Sequence, residues 1–178
     1  MRTLPNILIA GTPGVGKSTL SQVVSEETGL EWLDVSQIAK ENKCLEGYDS
    51  SYGSHILNEE RLLDEIEDQM EEGGKIVDYH GCDFFPQRWF DIVFILRTDN
   101  TALYDRLVNR GYSGKKLEDN VQCEIFQTIL DEAKESYAPE IVFELPSNTS
   151  SDMESNSEKI TQWVQQYKEK ASNSGMQM

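Results

Sequence analysis

Between residues 6 and 28 the chain runs through a short apolar stretch, Asn6-Ile7-Leu8-Ile9-Ala10. Then come Gly11-Thr12-Pro13-Gly14-Val15-Gly16-Lys17-Ser18-Thr19 and a segment of helical character that stops at Gly29. The apolar run is too short for a helix and breaks at glycine, so it reads as a buried strand over 6–10. Residues 17–28 read as a helix with Gly29 as its C-terminal cap. The central residues match G-x-x-x-x-G-K-[ST] in the strand-to-helix setting that gives this pattern its meaning. Gly14 and Gly16 let backbone N–H groups curl around a phosphate, and the helix start adds partial positive charge. Lys17 reaches the β and γ oxygens, Ser18 offers a hydroxyl to Mg²⁺, and Thr19 continues the cradle. Binding of ATP with Mg²⁺ is the expectation.

The rest of the chain alternates short apolar runs with helical stretches, the signature of β-α-β units and hence of an α/β, three-layer fold on a parallel sheet. Strands are expected over 30–35, 75–78, 92–96 and 141–145. Helices are expected over 36–42, 58–72 (Leu62, Leu63, Ile66 and Met70 on one face) and 101–110. One long helix is expected after a break at residues 111–114, reaching about residue 137, with Val121, Ile125, Ile129 and Leu130 as its stripe. A last helix should carry Ile160, Trp163, Val164 and Tyr167. Residues 44–55 read as a mobile loop, 146–158 as a flexible connection, and 171–178 as a frayed tail, leaving 1–170 as one domain.

Leu, Ile, Val and Phe exceed the roughly 20% below which a highly charged chain stays unfolded, so a core is affordable. Acidic residues number 32 against 16 basic ones, a formal net charge of −16. That field repels phosphate backbones and anionic membranes, so strong direct nucleic-acid binding is not expected. No apolar run approaches the ~18 residues of a membrane span, and Met1 to Asn6 lack a signal-peptide layout, so a protein made in the cytosol is expected. Cys44, Cys82 and Cys123, odd in number and widely spaced, suit reduced thiols.

Asp78 closes the run Lys75-Ile76-Val77-Asp78, where an acidic group at a strand end would hold the hydration shell of Mg²⁺. His80 follows it in a loop at the carboxyl end of that strand, where ligand sites of open α/β sheets lie. Arg106 and Arg110, spaced i, i+4 before the break at residues 111–114, are placed to bring charge onto a phosphoryl group in transfer. No N-K-x-D guanine motif is present; the nearest string is Arg97-Thr98-Asp99-Asn100. The loop motif alone leaves kinases for shikimate or gluconate open.

Taken together, the glycine-rich loop, Gly47-Tyr48-Asp49, the block Val77-Asp78-Tyr79-His80-Gly81-Cys82-Asp83-Phe84-Phe85-Pro86 and Arg106-Leu-Val-Asn-Arg110-Gly111-Tyr112 resemble the adenylate kinase isoenzyme 6 family, the coilin-interacting nuclear ATPases, over roughly residues 4–170. The resemblance implies a P-loop nucleoside-monophosphate kinase fold with five parallel strands, a monophosphate-binding region over 34–57 and a lid over 109–119. It places Arg110 against ATP and Asp78 and His80 in a Walker B-like element. It implies adenylate kinase and ATPase activities, AMP as acceptor with CMP and deoxy analogues as further candidates, and a monomer in nucleus and cytoplasm. It further implies a role in small ribosomal subunit maturation through a small-subunit ribosomal protein near the 18S rRNA 3′ end. Lys40 stands where conventional adenylate kinases carry a monophosphate-side arginine, and Arg88 is a second candidate on that side. Lysine keeps the charge but loses the bidentate fork. Beyond Arg110 the lid offers only Lys115 and Lys116.

Overall fold

The computed structural model describes residues 1–50 and 54–176. Five parallel strands form the central sheet: β1 (Ile7–Ala10), β2 (Glu31–Asp34), β5 (Lys75–Tyr79), β6 (Ile92–Arg97) and β7 (Val142–Pro146), in the order β2-β5-β1-β6-β7. β1 pairs on both sides, with Ile9 opposite Asp78 of β5 and Phe94 of β6. It is buried throughout, as a strand covered on both faces should be. Ile7 and Ile9 point into one core and Leu8 and Ala10 into the other. On the first face lie α1 (Lys17–Thr28), α4 (Asn100–Asn109) and α7 (Ser150–Met176). On the second lie α2 (Val35–Glu41), α3 (Glu59–Glu72) and α6 (Thr128–Ser136). The result is the three-layer α/β architecture read from the sequence.

Helix α1 has the expected bounds, and Gly29 caps it in the left-handed conformation. Beneath the turn that precedes α1, Leu103 and Leu107 of α4 are fully buried. A Cβ on Gly14 would meet Leu107 Cδ2 at 2.9 Å and Leu103 Cδ1 at 3.0 Å, and the residue has φ +93°, so only glycine suits this position. Leu107→Ala would open a void directly under the turn. Its expected cost is about 2–5 kcal/mol of unfolding free energy, read from urea titration; a cost below about 1 kcal/mol would show the turn is not supported this way.

Three expectations are corrected. Where a mobile loop was expected over 44–55, β3 (Leu45–Asp49) and β4 (Ser54–Leu57) form an antiparallel hairpin. Tyr48 and His55 pair across it edge to face, 5.0 Å between centroids. Residues 51–53 lie outside the described residues. Both strands are largely exposed, so no alternation of buried apolar residues marks them.

The long helix expected up to residue 137 is two: α5 (Gly114–Ile125) and α6, separated at Gln127, which has φ +57°. Leu117 and Val121 belong to one core, Ile129, Leu130 and Ala133 to the other. No straight helix buries both sets, and Ile125, expected in the stripe, is half-exposed. Finally, α7 begins at Ser150 rather than near residue 160 and continues to Met176, so most of the connection expected over 146–158 and most of the tail expected to fray are helical. Asp152 accepts from the Asn148 and Thr149 amides and Thr149 Oγ1 from the Asp152 amide, a reciprocal cap that fixes the helix start. Among the described residues no helix is long and apolar enough to cross a membrane, and the three cysteines are free.

Candidate nucleotide site

The glycine-rich turn leaves the carboxyl end of β1, the strand flanked by β5 and β6, so the ends of three strands surround it. Gly14 and Gly16 have φ of +93° and +99°. Lys17 Nζ donates to Gly11 O at 2.9 Å and Thr12 O at 3.1 Å, which folds the side chain back over the turn. Ser18 Oγ donates to Asp78 Oδ2 at 2.8 Å, and Trp32 Nε1 donates to the same oxygen at 3.3 Å. Thr19 is exposed beside Ser18. The expected set Lys17, Ser18 and Asp78 is therefore brought together.

Asp78 is nearly inaccessible, and desolvation raises its pKa against the pull of Ser18 and Lys17. Asp34, its register partner on β2, pushes in the same upward direction as desolvation. Lys17 is pushed down to about 8, first by desolvation, with Arg110 adding to the effect and Asp78, Glu124 and Asp34 opposing it. The free protein thus holds the lysine proton loosely. Mg·ATP affinity is expected to weaken as pH rises through about 8, with proton uptake on binding seen by calorimetry in two buffers. Affinity unchanged to about pH 9 would show that the ammonium is not the phosphate contact.

His80 is exposed and stacks on Tyr79, ring centroids 4.1 Å apart. Surrounding protein, and secondarily Lys17, hold its imidazole below the usual value. Arg110 ends α4, exposed, making no side-chain hydrogen bond or ion pair among the described residues, and its charge is felt at Lys17. The lid expected over 109–119 is a short turn through Gly111 followed by the first turns of α5, with Lys116 over the Tyr112 ring at 4.4 Å.

Arg106 is not aimed with Arg110. Its Nη1 donates to Ser147 O at 3.0 Å, Thr98 Oγ1 at 3.3 Å and Gly14 O at 3.4 Å, and its Nη2 to Asn148 O at 2.9 Å. In this structure the guanidinium ties the turn to the segment after β7. Arg88, expected on the monophosphate side, lies elsewhere. It pairs with Glu67 at 3.6 Å, and its carbonyl accepts from Arg2, which binds Asp91 ahead of β6. That is the amino end of the sheet, opposite the turn. Lys40 is exposed in the last turn of α2, within the expected monophosphate region.

Sequence reasoning missed Asp34 as a site carboxylate, although its place at the end of β2 mirrors that of Asp78. It also missed Glu124, whose carboxylate accepts from Thr12 Oγ1 at 3.1 Å, Thr98 N at 2.7 Å and Arg97 Nε at 3.1 Å. A Glu inside a helical stretch rich in acids carries no signal of burial.

A glycine-rich turn at the central strand of a parallel sheet, with lysine, hydroxyl and carboxylate converging on it, defines a P-loop nucleotide-binding protein. The family described as an AAA domain matches residues 7–127. "Adenylate kinase isoenzyme 6 homolog" proteins match almost end to end. That of Drosophila melanogaster is 52% identical over 166 residues, 93% of this chain and 95% of the relative. That of Caenorhabditis elegans is 50% identical over 169 residues, 94% and 93%. The homolog FAP7 of Saccharomyces cerevisiae is 43% identical over 93% of this chain and 84% of its own length. The chain belongs to the adenylate kinase isoenzyme 6 family. In fold it is similar to the shikimate kinase from Acinetobacter baumannii in complex with shikimate, TM-score 0.64 at 18% identity, covering 94% of this chain and 96% of that one. It is also similar to a gluconokinase from Sinorhizobium meliloti 1021, TM-score 0.54 at 14% identity, covering 99% of each.

Proposed function

We propose that the protein transfers the γ-phosphoryl group of ATP to AMP, releasing two ADP. The observation that carries this reading is the convergence of Lys17, Ser18 and Asp78 at the phosphate loop, with Asp34, where the region 34–57 begins, near enough for its charge to act on Lys17. Backbone amides of the turn and the Lys17 ammonium orient the triphosphate. Arg110, exposed at the end of α4, swings onto the transferring group and stabilises its charge. Asp34 and Lys40 lie on the acceptor side, where Lys40 would meet the monophosphate. No covalent intermediate is needed, because position and electrostatics suffice for in-line transfer.

The donors present suit Mg²⁺. Among the described residues no cluster of three or more His, Cys, Asp or Glu could cage a metal, while Ser18 and Asp78 together offer hydroxyl and carboxylate oxygens. That is the sparse oxygen set Mg²⁺ shares with phosphates and water. When bound, Mg²⁺ would neutralise β- and γ-phosphate charge, held by Ser18 and, through water, by Asp78.

The sparse lid cations support a second activity, hydrolysis of ATP by water, with His80 beside the Walker B-like Asp78. The net charge of −16 suits a basic protein partner. The family resemblance makes that partner a small-subunit ribosomal protein near the 18S rRNA 3′ end. It also makes small ribosomal subunit maturation the process, nucleus and cytoplasm the location, and a monomer the working form. ADP formation is to be measured from Mg·ATP with AMP, CMP and deoxy-AMP in turn, and phosphate release from Mg·ATP alone with and without the basic ribosomal protein. Acceptor-dependent ADP formation, highest with AMP, is expected. Phosphate release that rises with the ribosomal protein while no monophosphate is used would replace the kinase reading by that of an ATP-hydrolysing assembly factor.

A further inference from the structure

Glu124 is 3% exposed in the last turn of α5, and the chemistry set out above makes no use of it. Three donors converge on its carboxylate from two segments far apart in sequence: Thr12 Oγ1 from the phosphate loop, and Arg97 Nε and Thr98 N from the carboxyl end of β6. Arg97 Nη2 also donates to the Glu124 carbonyl at 2.9 Å, so one guanidinium grips both ends of the residue. A buried carboxylate is costly to desolvate, and an apolar side chain would fill this space as stably. What an apolar side chain could not do is hold Thr12. The Thr12 carbonyl accepts from Lys17 Nζ at 3.1 Å and from the Val15 amide at 3.3 Å. Its orientation therefore sets both the turn and the lysine. Thr98, held through its amide, donates in turn to Ser147 O at 2.9 Å, beside the phosphate loop.

We propose that Glu124 is a positioning residue for the nucleotide: its carboxylate holds Thr12, and through the Thr12 peptide the Lys17 ammonium, in the geometry that receives the β- and γ-phosphates. This rests on the reading that the loop binds Mg·ATP. Because Glu124 also roots α5, whose first turn belongs to the lid, loop and lid share one anchor.

The test is the affinity of Mg·ATP for folded Glu124→Gln, Thr12→Val and the double variant, read by fluorescence of a labelled ATP, with thermal unfolding measured beside it. Glutamine keeps the shape but loses the charge, and with its oxygen kept toward Thr98 N and Arg97 Nε its N–H group faces Thr12 Oγ1, reversing the bond that orients Thr12. Glu124→Gln is expected to weaken binding about 30- to 100-fold and Thr12→Val about 10-fold, with the double variant no weaker than Glu124→Gln. The KM for ATP should rise while that for AMP does not. A merely structural Glu124 would lower the unfolding temperature and leave the affinity of the folded fraction within about twofold, which would overturn the proposal. So would additive effects of the two substitutions. If Glu124→Gln does not fold, Thr12→Val decides: weakened binding supports the role, and unchanged binding overturns it. A wild type that bound no Mg·ATP would overturn this and the kinase reading together, whereas a wild type that binds and variants that bind equally would overturn this one alone.

Discussion

Lys17→Ala is expected to reduce kcat/KM for Mg·ATP by on the order of 10³-fold or more, to the level of the assay blank. In a chain of net charge −16 the approach of a triphosphate depends on a local cation, and Lys17 is held in the turn by Gly11 O and Thr12 O. The fold should not suffer. The lysine pKa falls from 10.5 to about 8 on folding, so at neutral pH the native state carries this ammonium at a cost, and its removal leaves stability unchanged or slightly raised. Unfolding temperature and turnover measured on the same sample separate the two effects. Turnover within about tenfold of wild type would remove Lys17 from the reaction.

The second large effect is a contrast between two arginines one helical turn apart. Arg110→Ala is expected to lower kcat by about 10²- to 10³-fold with little change in unfolding temperature, since the side chain is exposed and, among the described residues, makes no hydrogen bond or ion pair. Arg106→Ala is expected to do the reverse. It strips a charged donor from Gly14 O, Ser147 O and Asn148 O, and a loss of about 2–3 kcal/mol should lower the unfolding temperature by roughly 5–10 °C. What activity Arg106→Ala loses should come as a raised KM for ATP, from a loosened turn. Equal kcat losses with unchanged stability in both variants would return Arg106 to the transferring group.

The first β-α unit was legible because turn chemistry and a buried strand are local properties, and α1 runs over the residues expected of it. Lys17, Ser18 and Asp78 were legible for a related reason. A lysine and a hydroxyl fixed by one motif, and an acid at the end of an apolar run, must meet if the strands are parallel neighbours. Arg88 shows where such reasoning stops. It follows β5 closely in sequence, but the chain over 79–90 travels to the amino end of the sheet before β6 begins. Glu124 was hidden because its partners Thr12 and Thr98 lie 112 and 26 positions away. The break at Gln127 was hidden because it arises from two cores competing for one helix, with no glycine or proline to mark it. The early start of α7 was within reach, since Thr149-Ser150-Ser151-Asp152 spells its cap.

The most direct measurement of phosphoryl transfer between two nucleotides on this site is the ADP formed per ATP consumed, with and without AMP, using Lys17→Ala as the blank. Two ADP for each ATP, saturable in AMP and absent from the blank, is the expected result. One ADP and one phosphate per ATP, at a rate indifferent to AMP, would contradict it.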